Sequence, residues 1–104
     1  MIYASEILDT AKNLVQKDRA EQHGDYHENF QNIATLWSAY LDQSISPEMV
    51  SVLLALMKIG RTKSGSYNKD DWIDSNGYLA IGGEIKSKEV DDKEYEKQRS
   101  FNTE

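Results

Sequence analysis

Apolar residues recur along this chain with the period of an α-helix, in four successive segments. The first segment begins near Ser5, a residue type that caps helix N-termini, and it fades before Gly24. Its apolar positions follow the spacing i, i+1, i+4, i+7, i+8 and form one stripe: Ile7, Leu8, Ala11, Leu14 and Val15. This pattern predicts an amphipathic helix that buries one side.

The second segment follows Asp25, which can cap a helix together with Glu28 three residues later. The positions of its apolar residues place Glu28 on the outer side of the helix. The same helical spacing favours core packing for Trp37 and Tyr40. The apolar positions that define this phase are Phe30, Ile33, Ala34, Leu36, Trp37, Tyr40 and Leu41.

The third segment starts at Ser46 and Pro47, because proline at the first helical position loses only an amide without an intrahelical partner. From Met49 to Met57 it is apolar on nearly every side, which predicts a central helix. Three neighbouring helices in so small a bundle leave part of that surface uncovered. We therefore expect a homo-oligomer, with a dimer supplying the missing wall.

A polar turn precedes the fourth segment, which Asn68 or Asp70 can cap and which runs through about Ile81. Four helical segments, short connections and no period-two pattern predict an all-α four-helix bundle over residues 1–85. Residues 86–104 have mixed charge and few large apolar side chains. They either extend the last helix through ion pairs or form a solvated tail.

Composition narrows the classes of function for this chain of 104 residues. A formal net charge of −6 disfavours a binder of nucleic-acid polymers or membrane surfaces, which needs clustered lysine and arginine. No cysteine is present, so disulfides, thiolate metal sites and cysteine nucleophiles are excluded. Without an export signal or a membrane-spanning run in the sequence, we expect a cytoplasmic protein.

The stretch "KDDWIDSNGYLAIGGE" over residues 69–84 concentrates acids beside aromatic residues. A calcium loop requires oxygen ligands at positions one, three and five, glycine at six and glutamate at twelve. With Gly77 at position six, position one is Trp72 and position twelve is Gly83. The stretch is therefore not a calcium loop.

As part of a helix, Asp71 and Asp74 lie three residues apart and project from one side, in line with Tyr78 and Ile81. Two carboxylates on such a face require a cation, because burying an unpaired charge is costly. Mg²⁺ is one candidate, since it binds a few carboxylates and keeps waters for phosphate oxygens. Structural pairing with Lys58 and Arg61 of the preceding segment is another. A third is that the acids complement the dipole at the N-terminus of the helix.

Four motifs occur in order: "RAEQHGDYHENF", "IATLWSAYL", "LMKIGRT" and "DDWIDSNGYLAI". Together they resemble the short phage-encoded proteins related to the MazG-like, all-α nucleoside triphosphate pyrophosphohydrolases. The resemblance covers about residues 15 to 85. It implies a helical bundle, commonly oligomeric, in which inward acids hold Mg²⁺ against a nucleoside triphosphate while water attacks, giving a monophosphate and pyrophosphate.

The resemblance also implies roles for individual residues. Asp71 and Asp74 match a later ExxD-type motif and, with Glu28, are the expected Mg²⁺ ligands. In the earlier ExxE-type motif, Gln31 stands where the second acid is expected. The residues expected to contact the nucleotide are Lys58, Arg61, Asn29 and Tyr78.

Three functions follow as hypotheses. The first is Mg²⁺-dependent hydrolysis of a nucleoside triphosphate, with Lys58 and Arg61 on the phosphates. The second is a binding module that captures a nucleotide without cleaving it. The third is a phage accessory protein that contacts a host protein through its acidic exterior and charged C-terminal segment.

Overall fold

The computed structural model describes the backbone of residues 1–20 and 26–102, and the side chains of residues 1–17 and 26–100. Those ranges form four α-helices and contain no strand, which confirms the predicted all-α class. In chain order the helices are α1 (Ala4–Ala20), α2 (Tyr26–Leu41), α3 (Pro47–Arg61) and α4 (Lys69–Asn102).

Two of the predicted helix starts are confirmed. Pro47 opens α3 and the Ser46 hydroxyl accepts a hydrogen bond from the Met49 amide at 3.4 Å. Asn68, and not Asp70, precedes α4, and its Oδ1 accepts from the Asp70 amide at 3.0 Å. Ser5 is the second residue of α1, so the predicted cap is wrong by two residues. The expected junction at Gly24 and Asp25 lies outside the described residues.

The hydrophobic core joins α2, α3 and α4. α4 packs against both α3 and α1, and α3 packs against α2. α3 and α4 therefore each contact two other helices. α3 is not enclosed as predicted, because it leaves one whole face outside the bundle. The buried residues of the core cluster are Tyr26, Phe30, Ala34, Val50, Ile81 and Ile85.

The two aromatic residues late in α2 differ in burial. Trp37 is half-buried and packs against the core cluster, as predicted. Tyr40 is 90% exposed, so its predicted core position is wrong. It lies on the edge of the apolar stripe, where helical spacing alone does not say whether a neighbouring helix is present to cover it.

α3 and α4 approach each other closely at Gly82. A Cβ atom at this position would lie 2.9 Å from the Cβ of Ser51, which is itself fully buried on α3. Only glycine leaves room for this crossing. The contact fixes which face of α4 meets α3, and therefore where the acids of α4 lie relative to the cations of α3.

α4 does not end near Ile81 but continues to Asn102, so the helical alternative for the charged C-terminal segment is the one observed. At about 1.5 Å per residue, its 34 residues extend the helix well past the rest of the bundle. Among the described residues, no helix combines the length and the apolar character needed to cross a membrane.

Candidate functional site

The two acids singled out in the sequence lie on the face of α4 that meets α3. Asp74 Oδ2 is 3.0 Å from Lys58 Nζ, which is a direct charge-assisted contact. The Lys58 side chain is 14% exposed and that of Asp74 is 31% exposed. The pair is therefore largely shielded from water, and each charge depends on the other for stabilisation.

Asp71 is more deeply placed and less well paired. Its side chain is 8% exposed, and its Oδ1 lies 3.6 Å from Nε of Arg61, whose own side chain is 57% exposed. That distance is an ion pair but too long for a hydrogen bond. Oδ1 has no hydrogen-bond partner within the part of the chain that the structure describes.

Of the three residues expected to bind a metal, Asp71 and Asp74 lie together on the face of α4 that meets α3, and Glu28 lies on α2. Glu28 is exposed on the outer side of α2, as its phase predicted. Within residues 1–17 and 26–100, no three side chains from histidine, cysteine, aspartate or glutamate come together around a common point. Asp71 and Asp74 each face a cation of α3, and Mg²⁺ binding at these two carboxylates stays a prediction.

A groove between α1, α2 and α4 collects three of the predicted site residues: Asn29, Asp74 and Tyr78. Its volume is about 410 Å³, within the size range of small-molecule sites. Most of its lining is apolar, and the remaining lining residues are Ala11, Leu14, Val15, Tyr26, Phe30, Ile73, Gly77 and Ile81. Asp74 thus takes part both in this groove and in the ion pair with Lys58.

Tyr26 and Phe30 form an aromatic wall in the groove that the sequence analysis did not identify. Their ring centroids are 6.2 Å apart and the rings meet edge to face at 81°. The Tyr26 hydroxyl donates a hydrogen bond to the Val15 carbonyl at 3.1 Å, which ties α2 to α1. The spacing of four residues between the two aromatics was the available signal, since it places both rings on one face of a helix.

The contribution of α1 to the groove was also not predicted. Its apolar stripe was read as a core face only, yet Ala11, Leu14 and Val15 line the groove. Lys58 and Arg61, which were expected at the same site as Asn29 and Tyr78, lie on α3 and are not part of the groove lining. The predicted site is therefore divided into a groove and an ion-pair layer that share Asp74.

Comparison with known proteins places this chain in a family. Residues 6–86 match the family described as "Domain of unknown function (DUF6378)". The chain belongs to that family. The matched segment contains the bundle, the groove and both ion pairs of the DUF6378 chain, and it ends where the exposed part of α4 begins.

Two curated relatives are phage proteins. The "Gene 55 protein" of Mycobacterium phage L5 is 40% identical over 76 residues, which cover 72% of this chain and 49% of the relative. The protein of the same name from Mycobacterium phage D29 is 40% identical over 75 residues, which cover 72% of this chain and 50% of the relative. The chain spans about half the length of these relatives. No solved structure matches it.

The two curated relatives thus confirm the predicted resemblance to phage-encoded proteins. The finer relationship to MazG-like pyrophosphohydrolases stays a prediction from the four motifs. Neither the family description nor the names of the relatives state an activity.

Proposed function

We propose that this DUF6378 chain is a phage protein of the host cytoplasm that binds a nucleotide in the groove between α1, α2 and α4, without cleaving it. The observation that carries the proposal is the convergence of Asn29, Asp74 and Tyr78 on one apolar groove of about 410 Å³. An apolar cleft with a few converging polar groups is the usual form of a small-molecule site.

The groove offers complementary surfaces to a nucleobase. The partly exposed ring of Tyr78 supplies flat apolar area on which a base can stack. The Asn29 side chain carries both donor and acceptor groups, and the Asp74 carboxylate accepts hydrogen bonds from ring or amino N–H groups. In this proposal the phosphates extend towards Arg61, whose side chain is exposed.

Binding without hydrolysis agrees with the pairing of Asp71 and Asp74 with cations of α3. Lys58 neutralises Asp74, and Arg61 lies next to Asp71, so neither carboxylate needs a metal to offset its charge. Gln31 in place of a second acid on α2 agrees with this, because a neutral amide does not replace an anionic ligand.

The proposal is tested by thermal unfolding of the pure protein with nucleoside mono-, di- and triphosphates, in the presence of EDTA. We expect at least one nucleotide to raise the melting temperature, with the increase unaffected by EDTA and scaling with ligand concentration. Asn29→Ala should reduce the increase, whereas Asn32→Ala, on the exposed side of the same helix, should not. No stabilisation by any nucleotide contradicts the proposal.

Mg²⁺-dependent pyrophosphohydrolysis is the second candidate. The observation that favours it is the buried Oδ1 of Asp71, which has no hydrogen-bond partner among the described residues and so retains the capacity to meet a further cation. Incubation with each triphosphate and Mg²⁺ should then release pyrophosphate, and Asp74→Ala should abolish the release. If the natural sequence releases no more pyrophosphate than Asp74→Ala, hydrolysis is rejected and nucleotide binding remains the proposed function.

We also propose that the working form is a homo-oligomer, since the bundle leaves apolar side chains of α3 exposed. A third candidate function is contact with a host protein through the exposed part of α4, whose described residues from Val90 to Ser100 are all exposed. Deleting the residues after Glu89, which keeps the buried Ile85, should abolish that contact and leave nucleotide stabilisation in place.

A further inference from the structure

The lining of the groove between α1, α2 and α4 carries a single ionised group. Among the described residues that line it, Asp74 is the only carboxylic acid, and none is a lysine, arginine or histidine. A phosphate placed inside the groove would face a carboxylate and no cation, and like charges repel each other. The groove therefore suits the base of a nucleotide and leaves the phosphates outside.

The Asp74 carboxylate is held in position and keeps capacity for further hydrogen bonds. Nζ of Lys58 lies 3.0 Å from its Oδ2, and the Lys58 side chain is only 14% exposed. An ionised carboxylate accepts hydrogen bonds at about four sites, and the contact with Lys58 uses one of them. The Asp74 side chain is 31% exposed, so a ligand in the groove can reach it.

A carboxylate distinguishes the nucleobases because it only accepts hydrogen bonds. On its base-pairing edge, guanine presents two adjacent donors, N1–H and the N2 amino group. Adenine and cytosine present an amino group beside a ring nitrogen that accepts, and uracil and thymine present one N–H between two carbonyl oxygens. Each of these other patterns brings a lone pair of the base towards the carboxylate.

We propose that Asp74 selects guanine nucleotides, with its carboxylate accepting from N1–H and from the N2 amino group. The inference rests on the proposed nucleotide binding in this groove and names the base. Two parallel hydrogen bonds to a charged group are stronger and more specific in geometry than neutral ones. Lys58 is a positioning residue in this arrangement, because it contacts Asp74 and does not line the groove.

Tyr78 lies four residues after Asp74 on α4, and both side chains line the groove. Residues at this spacing are neighbours on one side of a helix, with Cβ atoms roughly 5–6 Å apart. One base can therefore place its face on the partly exposed Tyr78 ring and its edge on the Asp74 carboxylate.

Calorimetric titration of the natural sequence in EDTA tests the choice of base. The ligands are the monophosphates of guanosine, inosine, xanthosine and adenosine. Inosine lacks only the N2 amino group, and xanthosine has a carbonyl oxygen in its place. We expect guanosine monophosphate to bind at least about tenfold more tightly than each of the others, because a hydrogen bond to a charged group is among the stronger kinds.

Asp74→Asn supplies a test that a merely structural role would not pass. An amide at this position offers an N–H donor where the carboxylate offers an acceptor. The variant should lose the preference for guanosine over inosine monophosphate and gain affinity for xanthosine monophosphate relative to guanosine monophosphate. Asp70→Asn makes the same change of charge at an exposed position of the same helix and should keep the preference for guanosine monophosphate.

The outcomes separate this inference from the proposed function. If none of the nucleotides binds, nucleotide binding and guanine selection are both overturned. If all four monophosphates bind the natural sequence with similar affinity, nucleotide binding stands and guanine selection is overturned. An Asp74→Asn variant that folds, as judged by circular dichroism, and keeps the full preference for guanosine monophosphate overturns the role of Asp74.

Discussion

The two halves of α4 are continuous in backbone but are held by different interactions. Residues 69–85 bury Ile73, Ile81 and Ile85 against the other helices. From residue 86 to residue 100, only Glu89 is even half-buried, and the rest of the segment is exposed. The first half is helical because its faces are packed, and the second is helical because it continues an existing helix and carries ion pairs between successive turns.

Two parts of one continuous helix can therefore contribute very differently to the free energy of unfolding. Extending a helix adds one hydrogen bond per residue fixed, so a charged sequence can prolong a packed helix at little cost. The same sequence adds little to the cohesion of the bundle, because its ion pair with α3, between Lys86 and Glu48 at 3.6 Å, involves a lysine side chain that is 54% exposed. Similar substitutions in the two halves should therefore lower the free energy of unfolding by very different amounts.

The largest expected contrast is between two truncations to alanine. Ile85→Ala removes a buried side chain from the core cluster and should lower the free energy of unfolding by about 2–5 kcal/mol. Val90→Ala, five residues later and half exposed, should change it by less than about 0.5 kcal/mol. Urea unfolding followed by circular dichroism measures both. Equal costs would show that the second half is also packed.

The next effect concerns two adjacent glycines. Gly82→Ala puts a methyl group 2.9 Å from Ser51 Cβ and should destabilise by about 1–3 kcal/mol. Gly83→Ala meets nothing within 4 Å and should stabilise by up to about 1 kcal/mol through helix propensity. Both variants gain that propensity, so their difference in unfolding free energy isolates the steric cost. If they are equally stable, the α3 and α4 crossing is looser than described.

A smaller effect is expected at the ion-pair layer. Lys58→Met leaves Asp74 without its cation at 3.0 Å and should cost on the order of 1 kcal/mol, since Asp74 keeps partial access to water. Arg61→Met should cost less, because its contact with Asp71 is 3.6 Å long and its side chain is mostly exposed. Chemical unfolding of both variants ranks them. The reverse order would make Arg61 the main partner of the acids.

The smallest effect lies in the exposed half of α4. The hydrogen bond from Lys93, at 2.8 Å, lowers the pKa of Glu89 below its ordinary value, and nearby Lys86 adds to the shift. Lys93→Gln should move the pKa of Glu89 back up, as measured by NMR titration of its carboxyl carbon. Lys97→Gln is the control at a position one turn further along and should leave that pKa unchanged.

The sign of this effect on stability follows from linkage. A carboxyl group whose pKa is lowered in the folded state stabilises the fold above its unfolded-state pKa, and that contribution disappears as the pH falls through the folded-state pKa. Because Glu89 pairs in an exposed segment, we expect no measurable loss of unfolding free energy from Lys93→Gln near neutral pH. A measurable loss would mean that the exposed half supports the bundle.

Much of the candidate site followed from residue spacing. Asp71 and Asp74 share a face of α4 because three residues make nearly one helical turn, and the cations that meet them are the two named from the sequence. The division of the site between a groove and an ion-pair layer did not follow. It depends on α1 packing beside Tyr26 and Phe30, and local periodicity says nothing about which helices become neighbours.

The sequence by itself determined the four helices and two of their starts, because caps, proline and apolar periodicity act over a few neighbouring residues. The tertiary structure decided which face of each helix is buried. On α3, apolar side chains surround the helix, so hydrophobicity gave no preferred side. The close crossing at Gly82 and the acids of α4 turned Ser51 and Lys58 inward, and that choice left six apolar side chains facing the solvent.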